Sequence, residues 1–273
     1  MRDLIACDLD GSLLDHRSEI SKKNQQVLTY LRNLGHVVVL ATGRPFSGAI
    51  AKYRQLDLTT ALVTDNGGSI QNPSDPGFPR QKTYIPVDVM HRLFINTKAW
   101  LSSAFFSVED VVYAYQYDAR LEAIFSGMNS GRVIHGPLSA FAVEPTGMIF
   151  LVFSTHSESF EQYIASEFAH TLSYRKWGGD RKHTVYEIYL KHVSKSSALK
   201  YLLDYYDIPK ERLIAFGDGL NDIEMIRDAH LGVAMLNADP EVKAVAKDIT
   251  PFSNDEDGIA HYLIKHYQLD VEK

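Results

Sequence analysis

The chain has 273 residues, 45% hydrophobic and 23% charged, with a net charge of −6 at pH 7 and one cysteine. That length fits one large α/β domain or two smaller ones, and the acidic balance leaves no basic footprint for nucleic acid. No apolar stretch approaches the roughly 18 residues of a membrane span, and Cys7 alone cannot form an internal disulfide, so the expectation is a soluble cytoplasmic protein. The opening "MRDLIACDLD" has early acids and no long apolar run, which does not read as a signal peptide.

"LIAC" (4–7) reads as a short buried strand. Residues 21–34 read as a helix capped by Ser21 and stopped by Gly35, with Val27, Leu28, Leu31 and Leu34 as its apolar stripe. "HVVVLAT" lacks polar alternation, as a strand covered on both faces does. "ALVT" (61–64) is a third strand, and "NPSDPGFPR" (72–80) is a break. The pattern then becomes more aromatic and less regular. "VVYAYQY" and "GMIFLVFS" read as strands, "ESFEQYIASEF" as a helix, and "TVYEIYL" (184–190) as a strand with one face exposed. From about residue 194 the first pattern resumes, with a Ser-capped helix, the strand "RLIAF", a turn into the helix of "GDGLNDIEMIRDA", the strand "LGVAM" and a last helix in "EDGIAHYLIKHY". The reading is α/β: a doubly wound, Rossmann-like parallel sheet over 1–83 and 191–273, interrupted by an inserted α+β domain over 84–190.

Four polar clusters fall just after predicted strands, where open parallel sheets bind ligands. In "DLDGS", Asp8 ends the first strand and Asp10 lies two residues on. A held carboxylate can be a nucleophile and a second carboxyl a general acid and base, although the spacing alone also suits an Asx turn. In "ATGRP", Thr42 offers a hydroxyl and backbone N–H groups to an anion, and Gly43 allows close approach. Arg44 either faces that site or is a solvated surface charge. In "VSKSSAL", Lys195 stands at a helix start, which disfavours a cation unless carboxylates or phosphate surround it. In "AFGDGLNDIEM", Asp218, Asn221 and Asp222 crowd one strand-to-helix turn, and such clustered oxygens suit a hard cation such as Mg²⁺. Cys7 reads as a small buried strand residue rather than a nucleophile.

"DLDGS", "TGR", Lys195 and "GDGLND", in that order, resemble the four motifs of the haloacid dehalogenase (HAD) superfamily, and the whole chain resembles its Cof-type hydrolases with a type IIB cap between motifs two and three. "TDNGG" (64–68) resembles the family's Asn-Gly turn before the cap. The resemblance implies that Asp8 attacks phosphorus to form an aspartyl-phosphate, and that Asp10 protonates the leaving alcohol and then deprotonates water. It implies Mg²⁺ on Asp8, the main-chain carbonyl of Asp10 and Asp218, with Asp222 in support directly or through water. Thr42, Gly43 and Lys195 would hold phosphate, Lys195 would also restrain Asp8, and Asn221 would contact phosphate or order Lys195. P-type ATPases, which resemble the superfamily, carry Thr where Asp10 stands and keep a long-lived phosphoenzyme. Two departures are Ser12, where Thr is commoner, and Ser196, where many relatives have Gly.

The expected activity is a Mg²⁺-dependent phosphatase of small phosphorylated metabolites, sugar phosphates first, with flavin mononucleotide and pyridoxal phosphate as other substrates. A phosphomutase or a non-catalytic phosphate-binding regulator are the alternatives. Neither a nucleic-acid nor a membrane partner is expected, and the chain would be a monomer or homodimer. Arg181, Lys182, His183 and Glu187, just before the return to the core, are candidates for reading the leaving group or else form a solvated hairpin. The eleven histidines show no metal-ligand spacing, and Tyr113, Tyr115 and Tyr117 read as one face of a strand.

Overall fold

A computed structural model of the chain describes residues 2–108, 111–118 and 132–270. By its contacts the chain divides into two compact units, one formed by Met1–Gly43, Ala49–Gln81 and Ser194–Lys273, the other by Arg44–Gly48 and Lys82–Val193. No helix among the described residues is long and apolar enough to cross a membrane.

The first unit is built on β1 (Leu4–Cys7), β2 (Val37–Ala41), β3 (Leu62–Thr64), β4 (Ser69–Gln71), β5 (Gln81–Lys82, whose second residue belongs to the second unit), β12 (Leu213–Gly217), β13 (Leu231–Ala234) and β14 (Asp248–Ile249). They form one sheet in the order β14-β13-β12-β1-β2-β3-β4-β5. The pairs from β14 to β3 are parallel, and β4 turns back antiparallel on β3, so the sheet is parallel except at that end. Every residue of β1, β2 and β12 is buried, which is why these strands read as unbroken apolar runs. Each fully buried Val, Ile or Leu side chain among them contributes about 1.5–3 kcal/mol.

Around this sheet lie α1 (Lys22–Asn33), α2 (Phe46–Gln55, whose first residues belong to the second unit), α5 (Lys195–Tyr206), α6 (Ile223–Asp228), α7 (Pro240–Val245) and α8 (Gly258–Tyr267). The Ser21 side chain accepts from the Asn24 N–H to cap α1. Gly35, at φ 93°, ends it with the Gly35 and His36 N–H groups donating to Arg32 and Leu31 carbonyls. Val27, Leu28 and Leu31 are buried, whereas Leu34 is 58% exposed. The stripe stops one residue short because Leu34 already lies at the helix end, where the chain turns away.

Strand register matters most for the site. Cys7 stands level with Phe216 on one side and Leu40 on the other, and Ala41 stands level with Val63. The carboxyl ends of β1, β2, β3 and β12 therefore open on one edge. The chain order reverses at β1, with β2 to one side and β12 to the other. That is the switch point at which open α/β sheets place their ligands.

The second unit holds α3 (Val87–Thr97), β6 (Leu101–Val108), β7 (Val111–Tyr115), β8 (Arg132–His135), β9 (Gly147–Phe153), α4 (Ser157–Glu167), β10 (Leu172–Gly179) and β11 (His183–Leu190). Its sheet runs β10-β11-β9-β6-β7-β8, antiparallel except between β7 and β8. Val89, Met90, Leu93 and Phe94 of α3 and Phe160 and Ile164 of α4 pack on Phe106, Phe150, Val152, Tyr186 and Ile188. A smaller cluster, Phe105, Val112, Ala114 and Leu151, forms separately.

Two expectations fail here for local reasons. β11 is not half-exposed: residues 186–190 are all buried, because β11 lies between β9 and β10 and its polar position, Glu187, is covered by partners from β10. Nor do three tyrosines share a face. Tyr113 and Tyr115 pack with the larger cluster, but Gln116 adopts φ 47° and ends the alternation, so Tyr117 joins the smaller one.

Candidate active site

The first loop leaves β1 as a single wide turn. The Leu13 and Leu14 N–H groups donate back to the carbonyls of Asp8 and Leu9, and Gly11 sits at φ 75°. Two constraints require glycine at that position. The backbone is left-handed, and a Cβ would lie 2.2 Å from Asp218 Oδ2. The turn thus brings the first acidic loop against the fourth. Ser12, fully buried, completes the contact by donating to Asp218 Oδ1 at 2.8 Å.

Lys195 is the first residue of α5 and is 0% exposed. A reciprocal pair of hydrogen bonds fixes the helix start: the Ser197 N–H donates to Ser194 Oγ at 3.1 Å, and Ser197 Oγ accepts from the Ser194 N–H at 3.0 Å. The Ser196 hydroxyl donates to Asp228 Oδ2 at 2.8 Å. From this start the ammonium donates to Asp8 Oδ1 at 2.5 Å and to Asp222 Oδ1 at 2.6 Å. The other oxygen of Asp222 accepts from the Asp218 and Gly219 N–H groups at 3.0 and 3.1 Å. Asp222 therefore orders both the lysine and the turn that carries Asp218. Gly217 makes room for it, as a Cβ there would come within 2.6 Å of Asp222 Cβ.

Charge is unevenly balanced in this cluster. Asp8, Asp218 and Asp222 each place a carboxylate oxygen within 4.8 Å of the others, against the single ammonium of Lys195. Burial, reinforced by the Asp222 charge, holds the Asp8 carboxyl well above its usual range despite Lys195. Burial pushes Asp218 up to about 6, with Asp222 and Asp10 adding to the shift and the Ser12 hydrogen bond and Lys195 opposing it. Burial alone would lower Lys195, but the Asp222 and Asp8 carboxylates hold it above its ordinary value. Excess buried negative charge on hard oxygen donors is the chemistry a divalent cation satisfies, and these residues fit one. Burial and the Asp8 charge push the Cys7 thiol up, which suits a strand residue and not a nucleophile.

Thr42 is fully buried at the end of β2, and Asp10 is exposed two residues beyond Asp8. The space at Gly43 is taken by two amides: a Cβ would lie 3.0 Å from Asn66 Oδ1 and 3.4 Å from Asn221 Nδ2. Asn221 Nδ2 donates to Asn66 Oδ1 at 2.9 Å. Sequence reasoning passed over Ser12 and Asn66 as site residues. The "TDNGG" motif was the available signal for Asn66, and the position of Ser12 inside "DLDGS" was the signal for the other.

The candidates in the second unit differ in exposure. Arg44 donates to the Gly48 carbonyl at 3.3 Å. Arg181 and Lys182 are exposed in the turn between β10 and β11. His183 is buried with Nδ1 3.4 Å from Asp180 Oδ1. Glu187 Oε2 accepts from Trp177 Nε1 at 3.1 Å and from Arg175 Nη1 at 3.4 Å, and the Arg175 guanidinium lies over the Tyr189 ring at 4.0 Å.

Comparison with known proteins places this geometry in a family. The model of the haloacid dehalogenase-like hydrolases matches residues 5–263. The chain is 33% identical over 268 residues to the 5-amino-6-(5-phospho-D-ribitylamino)uracil phosphatase YitU of Bacillus subtilis, covering 97% of this chain and 98% of that protein. A haloacid dehalogenase-like hydrolase from Bacteroides thetaiotaomicron superimposes with a TM-score of 0.78 at 25% identity, over 97% of this chain and 100% of that one. The HAD subclass IIB sugar phosphatase BT4131 shares the fold, with a TM-score of 0.79 at 24% identity over 98% and 99% of the two chains. The matched span takes in all four carboxyl-end loops and the inserted unit between them, and the chain belongs to the haloacid dehalogenase-like hydrolases, among their Cof-type members.

Proposed function

We propose that this chain, a phosphoric monoester hydrolase of its family, hydrolyses small phosphorylated metabolites through an aspartyl-phosphate on Asp8, with Mg²⁺ as its cofactor. The observation that carries the reading is the bond from buried Lys195 to Asp8 Oδ1 at 2.5 Å, which restrains one carboxylate oxygen at the end of β1. A carboxylate so restrained is oriented for in-line attack.

In this reading an Asp8 oxygen bonds to phosphorus as the ester P–O bond breaks, and Asp10 gives its proton to the departing alkoxide. Asp10 then takes a proton from water, whose oxygen attacks the same phosphorus and releases inorganic phosphate and the Asp8 carboxylate. The exposure of Asp10 supports a role in proton exchange with solvent and leaving group. Lys195 and Thr42 receive the phosphoryl oxygens, with Asn221 beside them. Asp8, Asp218 and the main-chain carbonyl of Asp10 would hold Mg²⁺, which when bound neutralises phosphate charge that would otherwise repel Asp8. Asp222 acts from behind, since both of its oxygens already accept hydrogen bonds from Lys195 and from the Asp218 turn.

The inserted unit is read as the cap that selects the leaving group, and Arg44, Arg181, Lys182, His183 and Glu187 as its candidate specificity residues. Phosphorylated sugars and sugar alcohols are the substrate class. The similarity to YitU, whose name specifies a phosphate on a ribityl chain, supports a primary phosphate on a polyol. The test is phosphate release across a panel containing 5-amino-6-(5-phospho-D-ribitylamino)uracil, hexose and pentose phosphates, flavin mononucleotide and pyridoxal phosphate, with Mg²⁺ and with chelator. One class should lead in kcat/KM, and chelator should abolish turnover. Turnover indifferent to chelator, or product returned as an isomeric phosphate without inorganic phosphate, would reject the reading.

A further inference from the structure

The turn between β3 and β4 has no part in the chemistry proposed above, yet it meets three of the four loops that build the site. Its backbone is unusual. Asp65, Asn66 and Gly67 are consecutive left-handed residues, at φ 53°, 53° and 98°. Two of them are not glycine, and such a run persists only where its surroundings hold it. Asn66 is 5% exposed, so its amide is committed to the protein interior.

The contacts run outward from that turn. The Asn66 N–H donates to the Thr42 carbonyl at 3.1 Å, in the second loop. Asn66 Oδ1 accepts from Asn221 Nδ2 at 2.9 Å, in the fourth loop. Gly67 lies against the third loop, where a Cβ would come within 2.2 Å of the Ser194 carbonyl oxygen and 3.2 Å of the Lys195 nitrogen. Gly43 lacks the side chain that would press on both amides. Three site loops from distant parts of the sequence thus share one reference point, and Asn66 Oδ1 fixes the orientation of the Asn221 amide.

We infer that Asn66 is a positioning residue: it fixes the Asn221 amide and, with the Asn66–Gly67 backbone, holds the second and third loops at the spacing the transferring phosphoryl group requires. The inference rests on the phosphatase reading, because it assigns Asn221, Thr42 and Lys195 to phosphate. A group that orients others without touching substrate acts on transition-state fit more than on ground-state binding. Displacement of about 1 Å at such a site costs on the order of 100-fold in rate.

The test is a double-mutant cycle with p-nitrophenyl phosphate and Mg²⁺, read as kcat, KM and the inhibition constant of orthovanadate. Asn66→Gly removes the amide and accepts the left-handed backbone, so the turn survives. It should lower kcat roughly 10- to 100-fold, change KM less than about threefold, and weaken vanadate by a factor close to the loss in kcat. Asn221→Ala should show the same signature, and N66G/N221A should be no worse than the poorer single variant within about threefold. Gly43→Ala, whose methyl would enter the space of the two amides, should reproduce the kcat loss. Multiplying losses in the double variant, unchanged kcat in N66G, or a loss that only follows the fraction of folded protein would each overturn the inference. A wild type that releases no phosphate would overturn the phosphatase reading itself, and this inference with it.

Discussion

Replacing Lys195 by Met tests the electrostatic design of the site in one step. The side chains are similar in length, so volume is largely kept while the ammonium is lost. Lys195 is 0% exposed, and its bonds of 2.5 and 2.6 Å go to carboxylates that are 4% and 0% exposed. Without the cation they share, Asp8 and Asp222 become adjacent buried negative charges. Removing one partner of a buried ion pair costs about 3–5 kcal/mol. For a domain of this size each kcal/mol shifts Tm by about 2–4 °C, giving a fall of roughly 6–20 °C. The loss should also depend on pH with a definite sign. Burial and the Asp222 charge already raise the Asp8 carboxyl, and Lys195 is what opposes them. A carboxyl raised in the folded state contributes stability that is full below its unfolded value and is lost as pH rises through its folded value. The deficit of K195M should therefore be small in acid and larger in alkali. Urea unfolding of both proteins in chelator, at about pH 5.5 and about pH 8, measures it, and the deficit should grow by at least ~1.4 kcal/mol between them. Equal deficits at the two pH values, or a total below ~1 kcal/mol, would refute the reasoning.

Asp8→Asn should reduce phosphate release to background without lowering Tm, because it removes a charge that burial disfavours; activity beyond a residue would exclude Asp8 as nucleophile. Asp10→Ala should slow both formation and breakdown of the phosphoenzyme in rapid-quench experiments, and an unchanged breakdown rate would remove Asp10 as the general base. Burial raises Asp218 to about 6, so protons compete for this oxygen donor below that value. Apparent Mg²⁺ affinity by calorimetry should fall as pH drops through about 6, and Ser12→Ala, which deletes a hydrogen bond to the carboxylate, should move the fall to higher pH. A flat affinity from about pH 5 to about pH 8 would count against Asp218 as a ligand.

The central strands were legible because β1, β2 and β12 are covered on both faces and carry no polar alternation to confuse them. The caps were legible too, since Ser21 and Gly35 act through local chemistry. What escaped was set at a distance. β4 and β5 are two or three residues long, too short for a periodic signal. The burial of Glu187 depends on Arg175 and Trp177 of the neighbouring strand. At the site, the residue types and order pointed to Asp8, Lys195, Asp218 and Asp222, which the fold brings together. Spacing alone gave no hint that Asp222 spends both oxygens inside the protein, or that Gly43 yields its space to Asn66 and Asn221.

The position of β1 between β2 and β12 has a consequence for biosynthesis. Leu4 pairs with Leu213, so one edge of a wholly apolar strand waits for a partner translated about 200 residues later. At about 5–20 residues per second the ribosome needs roughly 10–40 s to deliver it. Throughout that interval the nascent chain presents unpaired main-chain N–H and C=O groups beside apolar side chains, a template for aggregation. Refolding of the full-length chain from denaturant imposes no such delay, and the two routes should differ in their need for chaperones.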